Sequence, residues 1–164
     1  MKNRFGKVGF TLIELLIVIT IIGILAVVFL PNILGAPEKA RDAARKANVS
    51  TIVGAIEAAR LDGKVTFETN VKDGCGTTAI LTTVLPYFPN GAVPKDPKSD
   101  NDFATGLCVG EYMVLVDKAA TTKYAVVAKV ENTANGNVAC PAAFTASPDL
   151  TVGTTGACYF AKSQ

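Results

Sequence analysis

From Phe10 to Leu30 the chain runs for 21 residues with a single ionisable side chain, Glu14. As an α-helix rising 1.5 Å per residue, that stretch reaches about 31 Å, the thickness of a bilayer's hydrocarbon core. It accounts for the high mean hydropathy of +0.34, because the remaining residues read as an ordinary small polar domain. A wholly soluble globular protein is therefore disfavoured. A secretory signal peptide has a shorter apolar region closed by small residues at a cleavage site, and no such site ends this run. The stretch reads as a membrane-spanning helix that stays on the protein.

The rest of the composition removes several kinds of chemistry. There is no His among the 164 residues, so triads that use His, His-ligated zinc and His general bases are excluded. No nucleophile motif surrounds Ser50, Ser99, Ser147 or Ser163, and an enzyme is not expected. A formal charge of +2 gives no basic footprint for nucleic acid.

After the apolar run, Pro31 lacks the N–H that a helix needs, so a kink or local unwinding is expected there. Pro37 and Glu38 suit a first helical turn, and a second helical stretch is expected to about Leu61, ended by Asp62-Gly63. Val49, Ile52, Val53, Ile56 and Ala59 recur at three- and four-residue spacing and mark its buried face. Ahead of them that face reads as alanine (Ala40, Ala43, Ala44, Ala47), small enough for close helix packing. The basic run Lys39–Lys46 alternates with Glu38 and Asp42, as on a solvated or subunit-facing helix. Val65–Glu68 reads as a short strand, and Thr78–Leu85 as a brief helix or a strand. Glu111–Asp117 and Lys123–Glu131 alternate in the manner of an antiparallel hairpin. Asn132–Asn137 reads as a turn.

Glu14 sits a full turn into apolar sequence, where an ionisable group is expensive and by default functional. The segment Gly9-Phe10-Thr11-Leu12-Ile13-Glu14-Leu15-Leu16-Ile17-Val18 resembles the class III signal sequence of type IV pilins and type II secretion pseudopilins. The resemblance implies an α+β fold, in which a long N-terminal helix packs on a small antiparallel head. It implies cleavage by a prepilin peptidase between Gly9 and Phe10, N-methylation of Phe10, and pairing of Glu14 with a neighbouring subunit's terminal amine. Gly23 and Pro31 are similar to the glycine and proline that flank the region unwound in many assembled filaments. Cleavage at Gly6 would leave Lys7 first and Glu14 eighth, and is rejected. Loss of Lys2, Arg4 and Lys7 with the leader moves the side-chain balance from +2 to −1. Lys and Arg counts on the two sides of the run do not fix its orientation; the motif does, with the leader cytoplasmic and the head outside.

The organisation expected is a leader at 1–9, a membrane helix and filament core at 10–30, its kinked continuation at 31–62 and an extracytoplasmic head at 63–164. Outside the cytoplasm Cys75, Cys108, Cys140 and Cys158 read as two disulfides. Three pairings exist, and the one joining sequence neighbours is expected; a Cys140–Cys158 bridge would resemble the C-terminal disulfide loop of many type IV pilins. Val93–Pro97, Tyr112 and Tyr124–Glu131 resemble the loop and hairpin of major pseudopilins and minimal pilins. Several of those bind calcium, which makes Asp96, Asp100, Asn101 and Asp102 candidate oxygen ligands. The implied partners are copies of the chain and minor pilins, the peptidase, an inner-membrane assembly platform and, before assembly, lipid; nucleic acid is not expected. A secretion pseudopilin and a DNA- or surface-binding pilin are the alternatives.

Overall fold

The apolar run folds as one helix, α1, Leu12–Leu34. The computed structural model describes residues 9–67, 71, 73–80, 82–103, 107–116, 123–140 and 157–162. Two compact units result, residues 1–37 and 38–164. In the first, Leu12–Phe29 is long and apolar enough to cross a membrane, and none of it is buried within the chain. A helix apolar on every side belongs in lipid or among other helices.

The interruption expected near Pro31 falls instead at Gly35, and α1 passes unbroken through Gly23 and Pro31. One proline removes one backbone donor, which the surrounding turns tolerate. At Gly35 two effects coincide. Glycine has little helical preference, and Pro37 can neither bond to the carbonyl of Ile33 nor pack against it. The chain restarts as α2, Ala36–Leu61, with Pro37 in its first turn.

α2 ends where Asp62-Gly63 was expected to end it. Gly63 takes φ +67°, its N–H donates to Arg60 O at 3.0 Å, and Lys64 N–H donates to Ala59 O at 2.9 Å. This reciprocal pair satisfies the last helical carbonyls and favours a residue without Cβ. On the inner face Val49, Ile52, Ala55, Ile56 and Ala59 are buried.

The head's sheet contains β1 (Gly74–Cys75), β2 (Met113–Val116), β3 (Tyr124–Lys129) and β4 (Cys158–Lys162), antiparallel in the order β1-β2-β3-β4. The β2–β3 hairpin is the expected one, with Val114 opposite Val126 and Leu115 opposite Ala125. Val114, Val116, Tyr124, Val126 and Ala128 join the core that contains the α2 residues. Met113, Leu115, Ala125 and Val127 form a second core with Phe103, Val138 and Phe160. Both faces are covered, so these strands are continuously apolar rather than alternating.

Elsewhere the sequence expectations give way. Phe67 makes only an isolated bridge to Val71, and Glu68 lies outside the described residues. Among the described residues of the Thr78–Leu85 stretch, the end of a four-residue helix, α3 (Gly76–Ala79), is followed by an isolated antiparallel bridge from Ile80 to Val71 and then by the start of a 3-10 turn at Leu85–Tyr87. Neither expected element is sustained, since β-branched Thr82 and Thr83 and then Pro86 oppose a longer helix. Thr133–Asn135 is the core of the expected turn.

Candidate functional site

Gly9 and Phe10 precede α1 in non-helical backbone, and Phe10 is 90% exposed. A Cβ at Gly9 would meet no atom within 4 Å, so nothing in the packing of the described residues requires glycine there. Of the leader, residues 1–8 lie outside the described residues.

Two residues further, Thr11 and Glu14 cap α1 reciprocally. Glu14 Oε2 accepts from Thr11 N–H at 2.9 Å and from the Thr11 hydroxyl at 2.8 Å, while Glu14 N–H donates to Thr11 Oγ1 at 3.3 Å. This is the Thr-x-x-Glu capping box, which satisfies backbone donors left open at a helix start. Its sequence signal is Thr11-Leu12-Ile13-Glu14, and the reading of Glu14 as a bare carboxylate in apolar sequence overlooked it. The cap uses the N–H of Thr11 rather than that of Phe10, so a cut between Gly9 and Phe10 leaves it intact.

The head contains a second charged assembly. Arg45 is fully buried, whereas the sequence placed it on a solvated or subunit-facing run. Its Nε and Nη2 donate to Asp96 Oδ2 and Oδ1, both at 2.8 Å. Its Nη1 donates to Asp42 Oδ1 at 2.7 Å and to Glu131 Oε1 at 2.8 Å. Arg41 makes a second two-pronged contact to Glu131, with both distances 2.7 Å. Asp42 also accepts from the backbone N–H groups of Glu131 and Asn132 at 2.9 and 3.0 Å and from Asn135 Nδ2 at 2.8 Å. One turn of α2 is thereby joined to the Asp96 loop and to the end of β3. The alanines expected to continue the inner face are not buried; Asp42 and Arg45 take those positions.

Burial alone would discourage the Arg45 charge, but hydrogen bonds to Asp96, Glu131 and Asp42 more than offset it and raise its pKa. The Arg41 hydrogen bonds, with help from Arg45 against partial burial, pull Glu131 from its ordinary 4.5 down to about 2. Asp42 is lowered too, since its hydrogen bonds from Asn135, the two backbone groups and Arg45 outweigh burial. A depressed carboxylate contributes fully above its unfolded pKa and loses that contribution as pH falls through the folded value. Head stability is thus expected to fall as pH drops from 4.5 toward about 2. Thermal unfolding across that window checks this, and Glu131→Gln should flatten the acid limb.

The expected calcium ligands are not assembled. Asp96 is turned inward onto Arg45 and also accepts from Lys98 N–H at 2.8 Å and Asn101 Nδ2 at 3.1 Å. Asp100 pairs with Lys98 at 3.7 Å, and Asp102 with Lys129 at 3.4 Å. Among the described residues no three acidic, Cys or His side chains group as a metal would need. Sequence spacing showed the acids but not that a buried guanidinium competes for the first of them.

Cys75 is bonded to Cys108 and Cys140 to Cys158. The first bridge ties β1 to the loop before β2, and the second ties the segment after β3 to the start of β4. Most of the chain that the second encloses, 141–156, lies outside the described residues.

The family profile described as the Prokaryotic N-terminal methylation motif matches residues 9–30. The chain is 37% identical over 105 residues to the type II secretion system core protein G of Vibrio cholerae, a match covering 59% of this chain and 69% of that protein. It is 37% identical over 60 residues to the core protein G of Pseudomonas aeruginosa, covering 37% of this chain and 42% of that one. A shorter stretch of 34 residues is 68% identical to the type IV wide pilus major component of Thermus thermophilus, covering 21% and 26%. No solved structure matches. The names are those of core and major components rather than of enzymes. With an apolar, membrane-length α1 carrying the methylation motif and a four-stranded antiparallel head, the chain belongs to the family of type IV pilins and type II secretion pseudopilins.

Proposed function

We propose that the chain is the structural subunit of a type IV pilus-like filament. It is held in the cytoplasmic membrane by Phe10–Leu30, with the head outside, until a prepilin peptidase cuts after Gly9 and Phe10 is N-methylated. The observation that carries this reading is the coincidence of the methylation motif at 9–30 with a helix that is apolar all round and unburied in its own chain. Such a helix lacks a partner until it meets lipid or its own kind. Glu14 then pairs with the Phe10 amine of a neighbouring subunit. Either charge alone is costly in an apolar bundle, so the pair selects one axial register. The assembly platform and minor pilins act as partners in extraction and initiation.

Mass spectrometry of subunits recovered from filaments is expected to give a mature chain beginning at N-methylated Phe10. Filaments built of chains that retain Met1–Gly9 would overturn the processing step. The second reading is a pseudopilin of a type II secretion system, favoured by the broad match to a core protein G. Deleting the chain separates the two: lost surface fibres favour the pilus, and lost export with fibres unchanged favours the pseudopilus.

A further inference from the structure

Strand β4 is an edge of the head's sheet. An edge strand presents a row of N–H and C=O groups that another extended chain can pair with. On β4 the outward groups of Cys158 and Phe160 are already occupied, those of Phe160 by an unusual partner. Cys158 exchanges both backbone hydrogen bonds with Val138, each at 3.1 Å, and its carbonyl also accepts from Asn137 N–H at 2.8 Å. Beyond Val138 no backbone strand continues among the described residues. The side chain of Asn137 takes over: its Oδ1 accepts from Phe160 N–H at 2.9 Å, and its Nδ2 donates to the Phe160 carbonyl at 3.3 Å. A carboxamide carries the same donor and acceptor as a peptide group, so Asn137 supplies the next rung that a neighbouring strand would supply.

The segment holding Asn137 is anchored at both ends. Upstream, Asn135, Asn132 and Glu131 all bond to Asp42, and downstream Cys140 is bonded to Cys158. Val138 between them is buried. Such an anchored amide differs from a passing surface contact.

We infer that Asn137 is a side-chain lock on the free edge of the head's sheet, and that the edge it closes fits the β4 edge of a second copy of this chain. Two identical antiparallel edges pair about a two-fold axis, the self-complementary arrangement that closes a dimer. The choice of a second copy as occupant rests on the filament reading, in which like heads are crowded together. With the lock in place, subunits associate through α1 and not through head-to-head strand pairing.

The test uses the full-length precursor dispersed in detergent, which requires neither processing nor filament growth; its failure is thus distinct from failure of the filament reading. Asn137→Ala removes both bonds to Phe160. At concentrations low enough to keep the variant single-copy, the Phe160 amide should exchange with solvent about two- to tenfold faster, as expected for one hydrogen bond. Sedimentation should show dimers at concentrations where the unaltered chain has one copy per micelle. Register leaves the N–H of Lys162 facing the same open edge, so adding Lys162→Pro removes a donor needed for pairing without touching the ladder to β3, and should restore the single-copy state. Complete formation of both disulfides reports that the head is folded. Should Asn137→Ala fail that check, Asn137→Ser, which also lacks the two bonds, must dimerise in its place. Folded variants that stay single-copy with Phe160 exposed overturn the proposal, and so do dimers that persist with Lys162→Pro.

Discussion

An Arg45→Ala chain is expected to lose about 3–5 kcal/mol of head stability, the usual cost of removing one member of a buried ion pair. The loss comes mainly from what stays behind. Asp42 is 1% exposed and Asp96 9%, and Glu131 reaches the same guanidinium. Without Arg45 these carboxylates face one another in a site that water barely enters, with Arg41 left to serve Glu131. Arg45→Lys keeps the charge but has no planar fork to span both Asp96 oxygens, so it should recover only part of the loss. Arg45→Met combined with Asp96→Leu should recover more than Arg45→Met alone, since the Asp96 carboxylate then disappears with its partner and Asp42 keeps its backbone and Asn135 donors. Denaturant unfolding of the full chain in detergent, followed by the fluorescence of buried Tyr112 and Tyr124, reads all four variants. An Arg45→Ala midpoint indistinguishable from the original would mean that the network contributes nothing net.

That network also marks where the sequence stopped being legible. The inner face of α2 was visible from Val49 onward because apolar residues recur at helical spacing. Asp42 and Arg45 continue the same stripe toward the N-terminus, at the same three- and four-residue steps, but a charged residue does not register as inward by hydropathy. What buries them is the Asp96 loop and the end of β3, more than 50 residues away in sequence, and no local pattern reports such a partner. The same reason hid β4. Cys158-Tyr159-Phe160 is short, and its strand character comes from pairing with β3 rather than from its own alternation. The β2–β3 hairpin was legible because its two runs are adjacent and strongly apolar. Gly35 was missed for a different reason: proline is the louder breaker, yet Pro31 acts alone while Gly35 and Pro37 act together. In the N-terminal segment the methylation motif was legible, but the cap was hidden by treating the Glu14 carboxylate only as a charge.

The cap makes a sharp test of what Glu14 does. As an N-terminal cap, its carboxylate accepts the Thr11 N–H, and glutamine performs that function nearly as well. As the partner of a neighbour's amine it must be an anion, and glutamine cannot replace it. Glu14→Gln is therefore expected to leave α1 intact and the chain cleaved at Gly9, yet to abolish filaments as completely as Glu14→Ala. Thr11→Ala, which breaks the cap and keeps the anion, should leave most of the filament yield. If Glu14→Gln assembles normally while Thr11→Ala does not, Glu14 is a helix cap and the pairing model fails. Gly9→Val completes the set. Since a Cβ at Gly9 meets nothing within 4 Å among the described residues, valine there should not disturb the described fold, and a loss is expected at the proposed peptidase step. The expected result is a full-length precursor in the membrane, with both disulfides formed, its leader attached and no filaments. Immunoblotting of membrane and surface fractions distinguishes these outcomes by the size and place of the chain. Glu14→Gln gives a short chain that stays in the membrane, whereas Gly9→Val gives a long one. A cleaved chain from Gly9→Val would move the cut site elsewhere and, with it, the amine that Glu14 is held to meet.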